Sequence, residues 1–127
     1  MKNVLAVLVC LPFLVFSCQQ NPYSQGEIIY KYYCGNCHMD DGSGLGKLIP
    51  SLDSSRLTLS DPQKLLCLIR NGLPVNPATG QEMPANLTLN EVELTNLINF
   101  LGDRYGLEPQ VVQVDQVKKM LAGCHSR

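Results

Sequence analysis

The stretch "YCGNCHMDDGSGLG" (residues 33–46) sets two cysteines three positions apart, with a histidine directly after the second. Three chemistries compete for Cys34, Cys37 and His38. A dithiol redox site places Cys-x-x-Cys at a strand-to-helix junction. Here the preceding residues read as helix, the following ones are glycine-rich, and no alternating strand pattern is found. A structural zinc site needs about four ligands, and adjacent Cys-His supplies them awkwardly. Covalent haem attachment uses every residue: each thiol adds to one vinyl group, and the histidine that follows reaches the iron as a neutral imidazole. A second axial ligand must then come from elsewhere. Met39 adjoins His38 and lies on the wrong side of a ring, and Met120 falls on a core-like helix face. Met83 stands in a proline- and glycine-rich loop and precedes Pro84, a setting that presents a thioether rather than burying it. Histidine–methionine ligation closes both iron positions, which suits electron transfer.

Such chemistry needs an address and a scaffold. Lys2 precedes a thirteen-residue apolar run, Val4–Phe16, the length of a signal-peptide core and short for a membrane span. It ends in "VFSC", which resembles a bacterial lipobox with Cys18 as the acylated N-terminus. The expected organisation is a lipoprotein signal over 1–17, a polar tether over 18–25 and one domain over 26–127. An ordinary secretory signal is the alternative. Gln19 after the lipidated cysteine points to the outer membrane of a two-membrane cell. The full chain has 127 residues, a net charge of −1 and 17% charged residues, with no basic patch to hold nucleic acid.

Four helices are expected. The first, Gly26–Cys37, has Ile28, Ile29, Tyr32 and Tyr33 on one face. The second, Ser60–Gly72, starts with a Ser60–Gln63 capping box and Pro62 in its first turn, and turns Leu65, Leu68 and Ile69 inward. The third, Leu89–Gly106, carries an Asn90–Glu93 cap, a Leu89–Leu94 staple and a stripe of Leu94, Leu97, Ile98 and Leu101. A shorter helix covers about Asp115–Ala122, with Val117 and Leu121 inward. The fold is all-α with long loops.

These residues resemble a class I monohaem cytochrome c of the small bacterial lipoprotein kind. The matching segments are "GEIIYKYYCGNCH", "GSGLGKLIPSL", "LIRNGL", "MPAN" and "LTNLINFLGDRYG". The resemblance implies a cytochrome c-like fold of four to five helices around one covalent haem c, with iron held by His38 and Met83. It implies that Gly26 and Tyr30 meet Phe100 where first and last helices cross. It further implies that the Pro50 carbonyl accepts the imidazole N–H of His38, fixing the tautomer. With no tryptophan in the chain, tyrosine, Arg56, Arg70 or water would serve the haem propionates. Asn86 stands where many relatives carry an aromatic.

Cys67 and Cys124 remain, and in an oxidising compartment a leftover pair usually bonds; buried free thiols are the alternative. His125 reads as a tail residue. No catalytic base or nucleophile constellation stands out. The expected function is a monomeric electron carrier, relaying single electrons between a redox donor and acceptor, such as membrane respiratory complexes, at the cell envelope. The glycines after His38 let the chain turn and pass close to a ring. Asp40 and Asp41 read as a solvated turn or as a docking contact for a cationic partner. The rivals are a haem peroxidase or reductase subunit with an open iron position, and a haem-based sensor.

Overall fold

The computed structural model describes residues 21–108 and 110–124. The signal segment, Cys18 and His125 lie outside the described residues, as does the side chain of Arg56. The helices are α1 (Ser24–Tyr33), α2 (Gly35–His38), α3 (Arg56–Leu59, entered through a 3-10 turn at Leu52–Ser55), α4 (Pro62–Asn71), α5 (Glu91–Tyr105) and α6 (Val114–Ala122). Among the described residues the one β feature is an isolated antiparallel bridge between Leu73 and Met83. The all-α expectation therefore holds. Among the described residues no helix is long and apolar enough to cross a membrane.

α5 is the spine. Asn90 accepts from the N–H groups of Val92 and Glu93 at 2.9 and 3.0 Å, and Glu93 accepts from Asn90 N–H at 2.9 Å. This reciprocal cap satisfies N–H groups that the first helical turn leaves unpaired, and is worth about 1 kcal/mol. Leu89 and Leu94, the expected staple, are both buried. Leu94, Leu97, Ile98 and Leu101 form the core stripe as expected, each contributing roughly 1.5–3 kcal/mol of burial.

α1 crosses α5 at Gly26. A Cβ there would collide with the Asn96 carbonyl and lie 2.5 Å from Phe100 Cβ, so the two backbones meet only because the side chain is missing. One turn on, the buried Tyr30 ring packs on Phe100, with centroids 5.6 Å apart. The crossing is the one implied by resemblance. The face read from periodicity is corrected in part: Ile29 packs against the core, but Ile28 and Tyr32 are 60% and 75% exposed, and the inward stripe runs Gly26–Tyr30–Cys34. A glycine scores as no hydrophobe, so the pattern pointed to the larger residues beside it.

The α4 cap is also corrected. Asp61, not Ser60, is the N-cap, accepting from Lys64 N–H at 3.1 Å. Ser60 Oγ instead accepts from Leu107 N–H at 2.6 Å. The Gln63 amide reaches away from the cap and donates to the Met120 carbonyl of α6 at 3.0 Å. α6 begins at its own Gln113–Gln116 box and buries Val117 completely. Its lead-in is tied to α5 by two bonds that the sequence did not reveal: Asn99 donates to the Val112 carbonyl at 3.0 Å and accepts from Val112 N–H at 2.9 Å. At the far end Cys124 meets Cys67 of α4, with Cα atoms 5.0 Å apart and sulfurs at bonding distance.

Candidate haem site

α1 stops at Tyr33, and the chain restarts as the one-turn α2. Cys34 caps that turn: its carbonyl accepts from Cys37 N–H at 3.1 Å and from His38 N–H at 2.9 Å. Cys34, Cys37 and His38 thereby line one cavity of about 260 Å³. Its other walls include Pro50 and Leu52 from the following loop, Leu65, Leu68 and Ile69 from α4, Leu101 from α5, and Met83. Residues far apart in the chain converge here as the motif reading expected.

The electrostatics distinguish the candidate chemistries. Burial, then the neighbouring Cys37 charge, pushes the Cys34 thiol up to about 11. A redox dithiol needs a lowered thiol instead. Burial pulls His38 below its ordinary value, so the imidazole is neutral and its lone pair is available. Its Nδ1 is buried without a hydrogen-bond partner. Two thiols, a neutral imidazole and a thioether on a wall of leucine, isoleucine and proline fit a flat apolar macrocycle with an iron centre. Cys34 and Cys37 would hold the ring, and His38 and Met83 would face the metal.

Pro50 lines the same cavity as His38, from the loop that follows the motif. The glycine loop is corrected in part. Gly42, Gly44 and Gly46 all have positive φ, so they do turn the chain. However, Gly42 packs on Tyr105, and Gly44 packs on the backbone of Ile49 and Pro50, rather than facing the cavity. The Ser43 side chain and then its N–H, which donates to Asp41 at 3.0 Å, hold the Asp41 carboxyl below the usual range in a local turn.

The methionine loop is built with more care than its composition suggested. Leu73 N–H donates to the Met83 carbonyl at 2.8 Å, and Met83 N–H donates back at 3.2 Å. Asn86 N–H returns to the Ile69 carbonyl at 2.9 Å. Arg70 clamps the exit, donating to the Asn86 and Leu89 carbonyls at 3.1 and 2.9 Å. This clamp stands beside the propionate role expected for Arg70. Sequence reasoning missed it because contacts to carbonyls leave no spacing pattern. Arg70→Ala is expected to destabilise the protein by about 2–3 kcal/mol in denaturant unfolding, since two charge-assisted bonds are lost. Arg70→Lys should recover less than half of this, because an ammonium lacks the fork that spans two carbonyls.

A helical fold whose cavity collects Cys-x-x-Cys-His and a loop methionine defines a small monohaem c-type cytochrome. The family described as cytochrome c oxidase, cbb3-type, subunit III matches residues 21–101, and the chain belongs to that family. The chain thus has the all-α cytochrome c fold, binds haem c covalently with its iron, and works by haem-based electron transfer. The cytochrome c subunit of alcohol dehydrogenase (quinone) from Gluconobacter oxydans (strain 621H) is 28% identical to it over 102 residues. That alignment covers 75% of this chain and 21% of the relative, so the chain spans about a fifth of the length of the curated relative it matches. α6 lies beyond the stretch matched by the family.

Proposed function

We propose that this protein is a one-electron carrier of a respiratory chain at the cell envelope, with iron held by His38 and Met83 and haem linked through Cys34 and Cys37. The observation that carries the reading is the convergence of His38 and Met83 on one apolar cavity. Haem, once linked, supplies a one-electron couple at iron. The chain does the rest: the thioether-forming cysteines fix the ring against α2, the aliphatic wall excludes water, and two protein ligands leave no iron position open to substrate. The family's description names an oxidase, a class of enzyme that takes electrons from such a carrier, and the relative's name a quinone-linked dehydrogenase, a class that delivers them. Cys18 would carry the lipid anchor, and the carrier would act as a monomer.

The test is a pair of absorption spectra, oxidised and reduced, on purified protein after acid extraction of free haem. Haem that stays with the polypeptide, a methionine charge-transfer band when oxidised, and no rapid carbon monoxide binding when reduced are expected. Rapid carbon monoxide binding would replace the carrier by a haem enzyme with an open iron position.

In the mature protein Cys67 and Cys124 are expected to be bonded. Mass analysis under non-reducing conditions should find no alkylatable thiol in the holoprotein. With the two cysteines 57 positions apart, the cross-link should add about 4 kcal/mol by loop-closure entropy, read as the stability lost in the Cys67→Ala/Cys124→Ala double variant.

A further inference from the structure

The folded domain reaches further back towards Cys18 than the polar composition of that stretch suggested. α1 starts at Ser24, and Asn21 is already bonded to it. The Asn21 carbonyl accepts from Ser24 N–H at 3.2 Å, and its side-chain oxygen accepts from Tyr23 N–H at 3.0 Å. Its amide donates to Glu27 at 3.4 Å. Only Gln19 and Gln20 separate this bonded start from Cys18. Three peptide steps reach about 10 Å at most, less than the roughly 15 Å length of the ten-residue α1. A lipid on Cys18 therefore holds α1 at the bilayer surface.

The outward face of α1 suits that surface. Gly26, Tyr30 and Cys34 turn inward, so Ile28 and Tyr32, one turn apart, stand exposed on the opposite side. The exposed Tyr33 flanks them, its ring edge-on to that of Tyr32 with centroids 4.8 Å apart. Lys31 beside them is matched by Glu27 at 2.8 Å, and the charge of Asp40 also reaches it. The face is thus aliphatic and aromatic, with its one cation paired. Tyrosine has an apolar body and a polar tip, and such rings collect where a bilayer meets water. Three side chains would hold little from free solution. An anchor three positions from the fold makes the contact intramolecular, at the high effective concentration of a short linker.

We propose that the Ile28–Tyr32–Tyr33 face of α1 is a membrane-docking surface, which lies on the lipid headgroups once Cys18 is acylated. This rests on Cys18 carrying the lipid. Tyr33 adjoins Cys34, so a helix held along the bilayer fixes the haem relative to the membrane plane. The carrier then presents its haem to membrane redox enzymes in one orientation, in place of tumbling on a tether.

The test uses the full-length lipidated holoprotein, oxidised, in oriented multilayers of phosphatidylcholine. The electron paramagnetic resonance spectrum of the ferric haem is recorded as the stack is rotated in the field. A strong dependence on angle is expected, and it should persist at high salt because the face carries no unpaired cation. Ile28→Gln/Tyr32→Gln changes exposed side chains alone; it is expected to stay anchored and to lose the angular dependence. A wild-type spectrum that does not change with angle would overturn the proposal. So would an equal angular dependence in the double variant. A dependence that appears only at high protein density would also overturn it, since a second copy would then cover the face. Mass analysis of the N-terminal peptide keeps the two readings apart: an unacylated Cys18 would overturn the anchor, and the docking with it.

Discussion

Gly26→Val is expected to cost about 4 kcal/mol or more and to leave little folded holoprotein. The added side chain has nowhere to go. The Asn96 carbonyl stands where its Cβ would be, and Phe100 Cβ is 2.5 Å away. A flexible side chain could yield, but a backbone carbonyl inside a helix cannot move without breaking that helix's hydrogen bonds. The two helices must separate, and separation uncovers Tyr30, Leu97 and Phe100, all buried now. The loss is a large share of the roughly 5–15 kcal/mol that holds a domain of this size. Denaturant unfolding followed by circular dichroism measures it; a variant within about 1 kcal/mol of the parent would show that the helices can slide apart at no great expense. Truncating Phe100 to alanine should not rescue Gly26→Val, because the Asn96 carbonyl remains.

Gly72→Ala should have its effect on the iron rather than on the fold. Gly72 ends α4 at φ 69° and ψ −169°, a region that is essentially glycine-only. A Cβ there would strike the Met83 carbonyl and lie 2.7 Å from Ala85 N. The substitution therefore drives the two arms of the methionine loop apart and opens the Leu73–Met83 bridge, while α1, α2 and α5 keep their contacts. The expected holoprotein retains its covalent haem and helix content, loses the methionine charge-transfer band, drops in reduction potential and gains rapid carbon monoxide binding. Unaltered methionine ligation in the alanine variant would mean that the loop tolerates a side chain at its base.

What could be read beforehand was mostly local. Cys34, Cys37 and His38 state their chemistry through adjacency. Asn90 and Glu93 form their box within one turn, and Met83 was distinguished from Met39 and Met120 by its loop and by Pro84. Less legible was whatever depends on partners brought from a distance. Arg70 and Asn99 bond to backbone atoms, which every residue carries, so nothing in the sequence marks their targets. Asp61 and Ser60 are neighbouring cap candidates; the choice between them follows from Ser60 being engaged by Leu107 across the fold. The face of α1 was misread in part because its inward stripe is built around a glycine, and resemblance supplied what periodicity could not.

α6 is tied at both ends, by Asn99 to its lead-in and by Cys67 beyond its last turn. A short helix at the edge of a fold ordinarily frays, and its amides exchange with solvent through openings that cost almost nothing. With the cross-link formed, α6 has no free end to peel. Its amides can open only by lifting Val117 out of the core between two fixed points. Hydrogen exchange across Val114–Ala122 should then be nearly as slow as in α5, and mild reduction should speed it selectively. The segment that lies outside the family's shared stretch would thus belong, in its dynamics, to the most protected part of the molecule.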